Sequence, residues 1–155
     1  MYSGTPWTGI AQSMALPIDK VSYKYVIPRY DYSSPGYQYD AILLANVDTV
    51  PRDITVTIGG TTVNETYTLN PSESQYKLYP GIVGGPVVVS NSDTNAKIIA
   101  SLYELKRAQP GVGWNGQSEM MGLPWNDLSD TYLIPTYFGD PKYFALDASL
   151  FISVP

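Results

Sequence analysis

The chain has no cysteine and no histidine among its 155 residues. Without thiols there is no disulfide framework and no thiolate metal site to argue for, and the absence says nothing of the redox compartment. Without imidazole the commonest general base and the commonest transition-metal ligand go together, which removes most familiar hydrolase mechanisms. Charged side chains are scarce as well, at 15%, where about a quarter is usual in soluble domains. Nine Lys and Arg face fourteen Asp and Glu, for a formal net charge of −5. Only Lys106 and Arg107 stand side by side as a basic pair, so nothing resembles the basic stripe that neutralises phosphates, and nucleic acid is not an expected partner. No apolar run approaches the ~20 residues of a membrane-spanning helix. Met1 to Leu16 lacks the basic start and long apolar middle of a signal peptide.

What is present reads as β-structure almost throughout. In "DITVTIGG", Ile54, Val56 and Ile58 alternate with Thr55 and Thr57, and in "TTVNETYTL", Val63, Tyr67 and Leu69 share one face. The intervening Gly59-Gly60 predicts a hairpin closed by a two-residue primed turn, in which both glycines accept positive φ. Further short runs are "SYKYVIPRY", "AILLANV" (41–47), "SQYKLY" (74–79), "PVVVS" (86–90) and "KIIASLYEL" (97–105), separated by Gly, Pro, Asn and Ser clusters. About seven short strands with turn signals between them predict an antiparallel β-sandwich of the Ig-like, Greek-key type. Only "LPIDKVS" (16–22) and "LPWNDLSD" (123–130) have the form of a single helical turn, with Pro favoured at its start. The Gly- and Pro-containing stretch 108–118 reads as a loop or linker.

Those two turn segments belong to an internal repeat. Aligning Pro17 with Pro124 sets an offset of 107 residues that runs without a gap to the C-terminus, and 12 of 34 positions from Met14 to Val47 are identical. The chain is one repeat of 107 residues and the first part of another. The expected organisation is an N-terminal arm (1–15), a sandwich domain (16–107), the loop, and a half repeat (119–155) equivalent to 12–48.

The order "GGPVVVS", "IIAS", "SEMMGLP" and then an aromatic "YxIPxY" strand resembles the tandem β-sandwich repeats of long secreted bacterial cell-surface proteins. The resemblance covers nearly all of the chain from about Gln12. It implies an extracellular location and a structural or adhesive role, with no catalytic site. The chain departs from that pattern in carrying "SLYELKR" in place of the commoner Ser-Glu-Arg-Val-type continuation and in containing fewer than two repeats.

Strands with apolar faces and open edges need covering. Three explanations of the half repeat stand: an accident of where the sequence is cut, a tail folded back on its own sandwich as extra edge strands, or strands donated to a neighbouring subunit. Donation joins copies head to tail and, being heterologous, builds filaments. The candidate interface residues are Trp125, Tyr132, Ile134, Tyr137, Phe144, Leu146, Leu150, Phe151, Ile152 and Val154. Leu150, Ile152 and Val154 share one strand face, and Phe151 lies on the other.

Tyrosine offers a second candidate surface. Tyr23, Tyr25, Tyr30, Tyr32, Tyr37 and Tyr39 crowd one stretch, as an interface, as a ladder that stacks sugars, or simply because tyrosine suits half-buried strands. Trp7 and Trp114, like Trp125, fall outside the expected strands. Asn64-Glu65-Thr66 is an acceptor pattern for N-linked sugar, and its alternation with Val63 and Tyr67 turns Asn64 to solvent. No two of Asp31, Asp40, Asp48, Asp53, Glu65, Glu73, Glu104 and Glu119 stand at a spacing that suggests an acid/base pair. Asn91 to Asn95 ("NSDTN") reads as a turn, for it lacks the glycine and terminal Glu of a calcium loop.

The sequence thus leads to a secreted, non-enzymatic structural subunit with no cofactor and no metal site, partnered by copies of itself and by surface glycans as a further candidate. The alternative is a monomeric carbohydrate- or surface-binding module with a tyrosine-rich face.

Overall fold

The structure, a computed structural model, describes residues 15–33, 38–106, 116–133 and 152–155. It is all-β, and its two main sheets, antiparallel throughout, pack face to face as a sandwich. The strands are β1 (Lys24–Ile27), β2 (Tyr30–Asp31), β3 (Gln38–Asn46), β4 (Arg52–Ile58), β5 (Asn64–Leu69), β6 (Ser74–Lys77), β7 (Val83–Gly84), β8 (Val87–Ser90), β9 (Ile98–Lys106), β10 (Gly116–Met121) and β11 (Leu123–Pro124). One sheet runs β11-β1-β8-β4-β5 and the other β10-β9-β3-β6, while β2 and β7 form a small ribbon.

Alternation explains the layering. Ile54, Val56 and Ile58 of β4, Val87 and Val89 of β8, Ile42 and Leu44 of β3, and Ile98, Ala100 and Leu102 of β9 are buried together. Every second residue of these strands points inward because successive Cβ atoms leave a strand on opposite faces. Each such Ile, Leu or Val contributes about 1.5–3 kcal/mol by leaving water. Two asparagines bury with them because their amides are satisfied. Asn46 Nδ2 donates to the carbonyls of Val50 and Leu69, both at 2.9 Å, and Asn91 Nδ2 donates to the carbonyl of Asp53 at 2.8 Å.

The β4–β5 hairpin forms, but its turn differs from the expected primed turn. Ile58 N–H donates to the Val63 carbonyl, leaving a four-residue loop, and within Gly59-Gly60 only Gly60 has positive φ. Gly59 serves a different need. It exchanges backbone hydrogen bonds with the 85–86 segment, and a Cβ there would lie 2.7 Å from the Gly85 carbonyl oxygen. The glycine is required for close approach of two backbones.

The expected boundary between loop and half repeat also shifts. Residues 116–118 begin β10, which pairs with β9 from Gly116↔Lys106 to Met121↔Ser101, and β11 then pairs with β1 through Tyr25↔Pro124 and Val26↔Leu123. The first residues of the second copy therefore complete the sandwich of the first. Residues 107–115 lie outside the described set.

Candidate assembly interface

Over the described residues around Pro17 and Pro124, the two copies of the repeat each form a short 3₁₀ turn. Pro17 (φ −58°, ψ 146°) leads into a 3₁₀ turn Ile18–Lys20, and Pro124 (φ −57°, ψ 138°) into Trp125–Asp127. Proline fixes the φ that such a turn needs at its start. After each turn the chain is locked by the same pair of bonds. Ser22 N–H donates to Tyr25 Oη at 3.0 Å, and Ser129 N–H to Tyr132 Oη at 2.8 Å. Lys24 N–H donates to Ser22 Oγ at 3.3 Å, and Thr131 N–H to Ser129 Oγ at 3.1 Å. The sequence identity at Ser22/Ser129 and Tyr25/Tyr132 is thus matched by the same local hydrogen bonds, while the turns themselves close differently: Lys20 N–H donates to the Pro17 carbonyl at 2.9 Å, and Leu128 N–H to the Trp125 carbonyl at 3.4 Å.

Their surroundings are opposite. Tyr25 is wholly buried and Val26 is 5% exposed, held between β8 and β11. Their counterparts Tyr132 and Leu133 are 54% and 93% exposed. The turns differ in the converse sense: Pro124 is buried against β1, while Pro17 and Ile18 are exposed. Trp125 is half-buried, and Lys24 Nζ lies 3.2 Å from the centroid of its ring, so this tryptophan packs on the first copy of its own chain. Gly122 makes the approach possible. Its N–H donates to the Ala100 carbonyl at 2.8 Å, and a Cβ there would lie 2.9 Å from that oxygen and 3.1 Å from Tyr25 Cβ.

Of the other sequence-derived interface residues, Ile152 and Val154 are exposed. Ile134, Tyr137, Phe144, Leu146, Leu150 and Phe151 lie outside the described residues, as do Trp7 and Trp114. Their first-copy counterparts are informative. Leu44, the counterpart of Phe151, is buried, whereas Leu43 and Ala45, the counterparts of Leu150 and Ile152, are partly exposed on the outer face of β3.

The tyrosine stretch does not form one surface ladder. Tyr25 and Tyr30 are core residues, and Tyr32 and Tyr39 contact each other with ring centroids 5.1 Å apart. Tyr37 lies outside the described residues. The group is divided because its members fall on different strands, Tyr25 on β1, Tyr30 on β2 and Tyr39 on β3. A different tyrosine face appears on the outside of the β10-β9-β3-β6 sheet. There a shallow groove of about 320 Å³ is lined by Leu43, Ala45, Tyr76, Ile99, Ser101 and Met121, among others. Tyr76 is 65% exposed beside it. The Tyr39 hydroxyl has a raised pKa, through burial first and then its neighbours Tyr32, Tyr76 and Tyr103. One carboxylate, Glu119, reaches into this groove and accepts a hydrogen bond from Ser101 Oγ at 3.1 Å.

Sequence reasoning missed a pair of carboxylates. Asp40 stands opposite Glu104 in the β3–β9 register, and Gln38 Nε2 lies 3.4 Å from Asp40 Oδ1 and 3.3 Å from Glu104 Oε2. Asp40 is fully buried, and burial, with Glu104 adding to it, pushes its pKa up to about 6 against the hydrogen bond from Asp31 N–H. Sixty-four residues separate the two in sequence, so only strand pairing reveals them. With no exposed surface, Asp40 serves the fold: its Oδ2 takes the Asp31 N–H at 2.7 Å and its carbonyl the Tyr30 hydroxyl at 2.9 Å. In the "NSDTN" segment, Asp93 is engaged by Arg52 at 2.7 Å and by Asn95 N–H at 2.9 Å, as a turn residue and ion-pair partner. Asn64 is exposed on the edge strand β5. Among the described residues no helix is long and apolar enough to cross a membrane.

No family model and no curated protein matches this chain. Among solved structures it is similar to that of Thermotoga maritima 1070, at 15% identity and a TM-score of 0.46 over 67% of this chain and 95% of that one.

Proposed function

We propose that the chain is a structural subunit of an extracellular filament or surface sheath, assembling head to tail through C-terminal strands (131–154) donated to a neighbour. One observation carries this reading: Tyr132 makes the same local hydrogen bond as buried Tyr25, yet it and the neighbouring Leu133 stand exposed. An exposed apolar segment that repeats the sequence and local bonds of a core strand favours pairing with another chain. The scarcity of charge fits a surface spent on self-association.

Electron microscopy of the whole chain beside a truncation tests this. The cut belongs after Asp130, because ending earlier, at Gln109, would strip β10 and β11 from the sandwich. Filaments from the whole chain and folded monomers from the truncation are expected. Discrete monomers from both would overturn the proposal.

The outer groove beside Tyr76 favours a second reading, a carbohydrate- or surface-binding module in which aromatic rings stack on sugars. It requires saturable quenching of tyrosine fluorescence by a glycan and its loss in Tyr76→Ala.

A further inference from the structure

Among the described residues, the structure contains one contact whose two halves each recur elsewhere in the same chain without that partner. In that contact, the Leu123–Pro124 turn of the second copy lies along the Tyr25–Val26 strand of the first. The recurring halves are the Leu16–Pro17 segment of the first copy and the Tyr132–Leu133 segment of the second, with Pro17, Tyr132 and Leu133 exposed and Leu16 partly buried against the core of its own chain. The backbone angles flanking both turns agree, and both copies make the same Ser–Tyr bond after them, so each half already carries local structure that its partnered counterpart has.

We propose that the Leu16–Lys20 turn of one subunit is the acceptor for Thr131–Leu133 of the next, with Tyr132 opposite Pro17 and Leu133 opposite Leu16. The occupant is therefore a second copy of this chain, and the inference rests on the polymer reading above. The joint is heterologous: the donor surface and the acceptor surface are different parts of each subunit, so a chain that has accepted still has its own strand to give. Such a contact propagates.

Two substitutions between the copies set the character of the joint. Thr131 and Ile18 replace Lys24 and Trp125, so the charged contact over the indole gives way to a neutral one, and this part of the joint loses sensitivity to salt. Ala15 replaces Gly122. Since a Cβ at Gly122 would stand 3.1 Å from Tyr25 Cβ, the methyl of Ala15 holds the inter-subunit joint open by a few tenths of an ångström beside Tyr132. Two paired residues do not hold two subunits together; they fix the register in which the longer tail meets its neighbour.

The absence of native cysteine makes the register testable by disulfide trapping. Directly opposed residues of an antiparallel pair place their Cα atoms within disulfide range. The single variants Leu16→Cys and Leu133→Cys are mixed and mildly oxidised, so that only a bond between subunits links one to the other. Asp19→Cys mixed with Leu133→Cys is the off-register control. The expected result is the Leu16–Leu133 mixed disulfide at about tenfold above the control and above either homodisulfide. In parallel, Ala15→Gly lowers the concentration needed for assembly. Filaments that form without the favoured disulfide, and without a response to Ala15→Gly, would overturn this acceptor and leave the polymer reading standing. Neither filaments nor disulfide would overturn both.

Discussion

Asp40 faces Glu104 across the β3–β9 pairing, with Gln38 Nε2 within 3.4 Å of both carboxylates. Asp40 is buried and its pKa stands at about 6, burial being the main cause. Unfolded, it would titrate near pH 3.9, so the fold keeps a proton that the unfolded chain releases.

Between about pH 4 and pH 6, therefore, raising the pH costs stability through this residue, of the order of 2 kcal/mol in all. Asp48 and Asp93 act in the opposite sense, their pKa values lowered by backbone hydrogen bonds and by Arg52, so their contribution is lost as pH falls. Urea unfolding of the chain and of Asp40→Asn at several pH values separates the two. The variant is expected to gain relative to the parent as pH rises from 4 to 7, and a constant difference would contradict the assignment.

Tyr30 is a buried tie between three segments. Its hydroxyl donates to the Asp40 carbonyl at 2.9 Å and accepts Tyr79 N–H at 2.8 Å, and its ring meets Tyr79 edge-on at 5.7 Å. Tyr30→Phe keeps the ring and orphans two buried backbone groups, at a cost of about 2–4 kcal/mol. Chemical denaturation measures it, and a loss below about 1 kcal/mol would show that the hydroxyl is dispensable.

Tyr25 and Tyr132 make the same hydrogen bond in opposite surroundings. Tyr25→Phe leaves the buried Ser22 N–H unpaired and is expected to cost about 1–2 kcal/mol, while Tyr132→Phe exposes Ser129 N–H to water and costs under about 0.5 kcal/mol. Equal losses in thermal melts of unassembled protein would mean that Tyr132 is covered.

Gly84 lies where two backbones meet: a Cβ there would stand 2.5 Å from the Gly59 carbonyl oxygen. Gly84→Ala forces the β2–β7 ribbon away from the β4–β5 hairpin and is expected to cost about 1–3 kcal/mol. Gly60, with φ +74° and open space around it, tolerates no such reading; Gly60→Ala is penalised through backbone conformation alone, by about 1 kcal/mol. Comparing the melts of the two variants separates contact from conformation.

The repeat, the β-class and the two short turns were legible because they are local or periodic. Alternating Ile54, Val56 and Ile58 announce a strand with one buried face whatever its partner, and Pro17 and Pro124 announce a turn through their own fixed φ. Asn64 facing solvent followed from the same alternation.

Tertiary structure alone decided what depends on which chain segments meet. Gly59 reads as a turn glycine until Gly85 is seen against it, and Asp40 and Glu104 become neighbours only through strand register. Identical residues at Tyr25 and Tyr132 take identical local bonds, because those bonds span three residues, yet one is core and the other surface. Burial is a property of the neighbours that strand pairing brings, and no local stretch of sequence contains them.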